Sequence, residues 1–192
     1  MVLKTPLRFQ VTEFDCGTIS LLNAFSYVFH REEIPAELVK AIQKYTMDSC
    51  DKNGNIGQGG TSRGAIKQFS FWLMEYAKLN KFNVACKYLE KSEVTLRKII
   101  ECLDRGGVCF IRCWLVNEHY VIITKIINRQ VYIFDPYYLD ISKYKDSQVK
   151  IITNKPFNYN RKVSFRRVFS EARKDFSLGS VDGRQCILIN KE

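Results

Sequence analysis

Apolar side chains recur at helical spacing along the first half of this 192-residue chain and gather into short β-branched runs along the second half. After Cys16 they fall at Leu21, Leu22, Phe25, Val28 and Phe29, one face of a helix that begins at or just after Cys16. A second helix is expected over 35–45, with Pro35 in its first turn, where a missing N–H costs little. Residues 48–61 break the pattern: polar and glycine-rich, they read as a loop. Ser62 is a suitable N-cap for a third helix carrying Ala65, Ile66, Phe69, Leu73, Tyr76 and Ala77. Ser92 precedes a fourth with Leu96, Ile99, Ile100 and Leu103, and the apolar stretch 82–89 between the two reads as a strand.

Past Gly106-Gly107 the period changes. Residues 108–116, 119–127 and 131–134 are β-branched and aromatic runs, separated by Asn117-Glu118 and by Asn128-Arg129-Gln130. Connections this short join antiparallel strands. A further strand is expected over 185–189 and a short helix over 163–173. The fold class is therefore α+β, one domain over residues 1–192, with a helical part over about 1–105 packed on an antiparallel sheet over about 106–192.

Composition narrows the possible functions. Hydrophobic residues at 46% supply enough apolar material for a sizeable core, and no run approaches the roughly 20 apolar residues that a membrane helix needs. The first nine residues lack the apolar centre of a signal peptide, so a cytoplasmic location and no membrane partner are expected. Seven cysteines, an odd number, several of them inside apolar strand-like runs, point to reduced buried thiols. No CxxC occurs, so no metal is expected, and no cofactor. Asp51, Asn53 and Asn55 fail as a calcium loop, since Ile56 and Ser62 stand where that loop needs glycine and glutamate. The formal charge of +10 raises the question of an anionic partner. The basic residues are scattered, densest from Arg161 to Lys174, and carry no aromatic-basic recognition motif. A solvated basic face is the favoured reading, and no nucleic acid is expected.

The chemistry gathers around Cys16. A thiol at a helix N-terminus sits at the positive end of the helix dipole, which favours the nucleophilic thiolate. Gly17 leaves the sulfur approachable. The Cys16 backbone N–H has no partner within the helix, and the Gln10 side-chain amide, six residues upstream, can supply a second donor for an oxyanion hole. Of the two histidines, His30 stands in a polar setting before Arg31-Glu32-Glu33, whereas His119 opens an apolar strand. An imidazole at that sheet rim can take the thiol proton. Asp135 ends the next strand and returns to the level of His119, so the register of the hairpin brings a carboxylate to the ring.

Gln10, Asp15-Cys16-Gly17, His119 followed by Tyr120-Val121-Ile122, and Asp135-Pro136 together resemble the C39 peptidase family and its stand-alone relatives, within the papain-like superfamily. The resemblance implies a papain-like fold in which Cys16 is the nucleophile, His119 the base, Asp135 its orienter and Gln10 the oxyanion donor. It implies a peptide substrate cleaved through a Cys16 thioester. An acyltransferase with an acyl substrate on the same site, and a non-catalytic binding module, stay open as alternatives. The 48–61 loop reads equally as a mobile lip beside the site or an inert surface loop. Trp72 and Trp114 are expected in the core, and Tyr137-Tyr138 are candidates to line a substrate groove.

Overall fold

Helices form where the apolar spacing predicts them: α1 over Cys16–Val28, α2 over Ala36–Thr46, α3 over Arg63–Asn80 and α4 over Leu96–Asp104. A computed structural model describes residues 4–141 and 144–192, so the reading of the chain start as no signal sequence falls partly outside the described residues. The Ser62 side chain caps α3 by accepting from the Ala65 N–H. The cap of α4 is Thr95, which accepts from the Lys98 N–H, while Ser92 belongs to a 3₁₀ turn over Lys91–Glu93. Pro35 is the N-cap of α2 rather than part of its first turn, because its extended ψ of 143° places it outside the helix.

Seven strands follow or interleave: β1 Val84–Glu90, β2 Val108–Leu115, β3 Asn117–Ile127, β4 Gln130–Phe134, β5 Val149–Ile151, β6 Arg161–Ser164 and β7 Gln185–Lys191. Among the described residues they form one sheet in the order β1-β7-β2-β3-β4-β6-β5, antiparallel at every pairing. The fold is thus α+β, with helices leading and an antiparallel sheet behind them. Because neighbouring strand residues point to opposite faces, the apolar runs divide between two cores. Phe110, Ile122 and Ile187 face α1, α2 and α3, meeting Phe25, Ile42 and Phe69. Ile111, Ile123 and Leu188 face the other side, meeting Ile99 and Cys102 of α4.

Three details depart from the pattern read along the chain. Asn117 and Glu118 are not the turn before β3 but its first residues, opposite Leu115 and Trp114. The chain reverses at Val116 with φ of 62°, a left-handed conformation that β-branched residues rarely adopt. The helix expected over 163–173 is one turn, α5 over Phe165–Val168. Val163 is instead a buried strand residue paired with Val131 and Val149. Strands β5 and β6 had no expectation at all, being three and four residues long.

Register decides the site. Near their shared turn, β3 and β4 pair Ile127 with Gln130, but an irregularity between Ile123 and Lys125 shifts the ladder so that Ile122 meets Phe134. Continued one step, the shifted ladder sets Asp135 opposite Val121, on the same side of the sheet as His119 and diagonal to it. Without the shift, Asp135 would fall opposite Ile122 and point to the other side. The hairpin does bring His119 and Asp135 together, and the bulge is what makes their faces agree.

Candidate active site

Cys16 is the first residue of α1 and its thiol is free and buried. The N-cap, Asp15, makes no side-chain bond to the first helical turn; its carboxylate accepts instead from the Thr12 N–H at 3.3 Å, which shapes the approach to the helix. One turn further on, the Ser20 hydroxyl donates to the Tyr120 carbonyl at 2.8 Å. This buried bond ties the helix that carries Cys16 to the residue next to His119. Gly17 permits a close contact: a Cβ there would stand 2.3 Å from Thr61 Oγ1. The end of the 48–61 loop therefore presses on the start of α1, held by the Thr61 hydroxyl's 2.8 Å bond to the Thr46 carbonyl.

His119 is 6% exposed, and its Nε2 lies 2.7 Å from Asp135 Oδ1. Cys16 bears on the same ring, its side chain adding to the forces that favour the charged imidazole. Burial disfavours the imidazolium, but the Asp135 charge and hydrogen bond, with Cys16 adding to them, more than reverse this and hold the His119 pKa up at about 10. Four cysteines elsewhere in the fold have their thiol pKa values raised. Burial pushes Cys86 up to about 12 and Cys102 to about 11, and drives Cys109 and Cys113 well above the ordinary thiol range. Burial of this kind keeps a thiol protonated at neutral pH.

Asp135 is fully buried and held at every polar group. Its Oδ1 also accepts from the Tyr137 N–H at 2.9 Å. Its backbone N–H and carbonyl both engage the Asn160 side chain, at 2.8 and 2.7 Å. Its Oδ2 lies 3.1 Å from Arg161 Nη2, an ion pair too oblique to count as a hydrogen bond. Neither Asn160 nor Arg161 was legible as a site residue, because they come from β6 and the residue before it, an unforeseen strand in the densest basic stretch.

Gln10 is placed by its backbone N–H, which donates to the Pro136 carbonyl at 2.9 Å, just past Asp135. Its Nε2 donates to the Thr12 carbonyl at 2.8 Å, and its Oε1 is buried without a partner. An amide nitrogen carries two hydrogens, so one remains for another acceptor. Two cavities meet at Cys16. One, of about 450 Å³, is lined by Gln10, Glu13, His119, Tyr137 and Asp175. The other, of about 680 Å³, is walled by Gly59, Gly60 and Thr61 of the loop on one side and by Trp114, Glu118 and Arg173 on the other. Trp114 is half-buried beneath the Arg173 guanidinium, 4.6 Å from its ring centre, and so belongs to the cleft rather than to either core. Of the tyrosine pair only Tyr137 reaches the cleft; Tyr138 lines a separate apolar cavity behind Asp135. His30 lies on the surface, and Asp51 turns both carboxylate oxygens inward to Asn53 and Asn55. Among the described residues no cluster of three or more His, Cys, Asp or Glu could hold a metal ion, and no helix is long and apolar enough to cross a membrane.

No family model matches the chain, and no curated protein matches it. Among solved structures it is similar to a double glycine motif protease from an AMS/PCAT transporter, crystallised in complex with the leader peptide. The likeness spans 97% of this chain and 91% of that one at 13% identity, with a TM-score of 0.48.

Proposed function

We propose that the protein is a cysteine peptidase of the C39-like type, cleaving a peptide amide through a thioester on Cys16. The observation that carries this reading is the commitment of His119 Nε2 to Asp135 at 2.7 Å with Cys16 acting on the same ring, which leaves Nδ1 as the nitrogen to serve the thiol. That is the arrangement a thiol nucleophile needs, with the base oriented from behind. The thiolate, beside an imidazolium and at the positive end of α1, attacks the scissile carbonyl. As the C–N bond breaks, Nδ1–H passes its proton to the leaving amine. Water then attacks the thioester, the now neutral His119 takes the water proton, and the C–S bond breaks to release the acid. The Cys16 N–H and the free hydrogen of Gln10 Nε2 are the proposed donors to the oxyanion, each worth about 3–4 kcal/mol of barrier where such donors have been deleted. The free state of the cysteines fits a reducing, cytoplasmic compartment.

Profiling a peptide library with the protein and with Cys16→Ala tests the proposal. Turnover and the rapid labelling by iodoacetamide at residue 16, read by peptide mapping apart from the exposed Cys50, should both disappear in the variant, and cleavage that survives the substitution would sink it.

A further inference from the structure

We infer that Arg161 is a positioning residue of this site, holding the Asp135 carboxylate from behind so that Oδ1 alone is presented to His119. The inference rests on the reading of Cys16 and His119 given above. Arg161 is 2% exposed, the largest of the fully buried side chains. Its Nη2 donates to the Tyr137 carbonyl at 2.7 Å and lies 3.1 Å from Asp135 Oδ2; its Nη1 donates to the Asn160 carbonyl at 3.0 Å. Asn160, the preceding residue, bonds both backbone groups of Asp135. Residues 160 and 161 thus fix the backbone and the side chain of the orienting carboxylate together. The guanidinium does so from an apolar setting, at the wall of a cavity of about 310 Å³ lined by Leu7, Phe134, Leu139, Ile151 and Tyr159.

Burying a guanidinium is unfavourable, and an apolar side chain of similar volume usually serves stability as well or better. Packing therefore gives no reason for an arginine here, whereas the chemistry of Asp135 does. A carboxylate that faces only an imidazole can be neutralised by a proton passing between the two. A second, permanent cation on Oδ2 removes that outcome. It also makes His119 share its counter-charge, so the imidazolium gives up its proton to a leaving amine more readily than with the carboxylate to itself. The other titratable groups around this set are Cys113 on β2, Cys16 on α1, Tyr137 and Tyr144 beyond β4, and the carboxylates Glu13, Glu118 and Asp175 that line the cavities at Cys16.

The test compares wild type, Arg161→Met and Arg161→Lys by kcat, KM and the pH profile of kcat/KM. Iodoacetamide alkylation of Cys16 against pH gives a readout that needs no substrate. Arg161→Met should lower kcat by about tenfold or more, the scale of a misplaced catalytic group, with KM changed less than about twofold. Its alkaline limb, in activity and in alkylation, should move to higher pH because His119 becomes the sole cation on Asp135. Arg161→Lys keeps the charge but not the fork, and should restore the limb while recovering only part of kcat. A folded Arg161→Met protein with wild-type kcat and limb overturns the inference. Should that variant not fold, wild-type kcat in Arg161→Lys overturns it equally. If Cys16→Ala retains turnover, the proposed function itself fails; if it is dead while the Arg161 variants are unaffected, only this inference does.

Discussion

His119 keeps its charge where a lone imidazole would lose it. The ring is buried, yet Asp135 and Cys16 raise its pKa from an ordinary 6.5 to about 10. A group whose pKa is higher in the folded than in the unfolded chain stabilises the fold fully below the unfolded value, and that contribution disappears as the pH rises through the folded one. Thermal melts of wild type and His119→Gln should therefore differ most near pH 6 and converge above about pH 10; a difference that stays constant with pH would show that the charge contributes nothing. At this scale the sequence was informative about identity and less so about contacts. Cys16, His119 and Asp135 could be chosen because each stood at a predicted boundary of a helix or strand. The engagement of Gln10 with Thr12 depends on a side-chain rotation within an irregular segment, which no periodicity encodes. Arg161 was hidden for a different reason: an arginine among lysines and arginines reads as solvated, and only its pairing across β4 buries it.

Among the elements, α1 and the 48–61 loop meet with no room for a side chain at residue 17. Gly17→Ala would set a methyl group 2.3 Å from Thr61 Oγ1 and 2.7 Å from Thr61 Cβ. The loop or the helix must then move, so the substitution should destabilise the protein by about 1–3 kcal/mol, as overpacking does. It should also widen the cleft wall formed by residues 59–61. Urea unfolding measures the first effect, and an unchanged midpoint would show that the loop yields freely. The positions of helices and long strands followed from apolar spacing, because those elements bury a regular face. What escaped were places where the backbone departs from regularity. The reversal at Val116 puts a β-branched residue into a conformation for which sequence offers no signal, and the β3–β4 bulge shifts register without a glycine or proline to mark it.

Taken whole, the molecule is a sheet covered on both sides, and the strands that serve both cores are the ones that read as continuous apolar runs. β7 is a case in point: Ile187 and Ile189 face one core, Cys186 and Leu188 the other. Ile187→Ala, at a fully buried site on the face of the sheet toward α1 and α3, should cost about 2–5 kcal/mol in chemical denaturation. A loss well under 1 kcal/mol would mean that the core refills. Fold class was legible because helices precede most of the strands in the chain. The strand order was not, since pairing between segments a hundred residues apart leaves no local trace.

That order has a consequence for how the protein comes into being. β7 lies between β1 and β2, pairing Val84 with Lys191 and Val108 with Ile189, and α1 packs against β7 as well as β2 and β3. The β3–β4 hairpin can close early from neighbouring residues, but β1 can join the rest of the sheet only through a strand made near residue 190. Such distant pairings are the slow steps of folding. Until β7 has been made, Cys16 therefore lacks the full floor that seats its helix, and the setting of the thiol is completed only once that strand is in place.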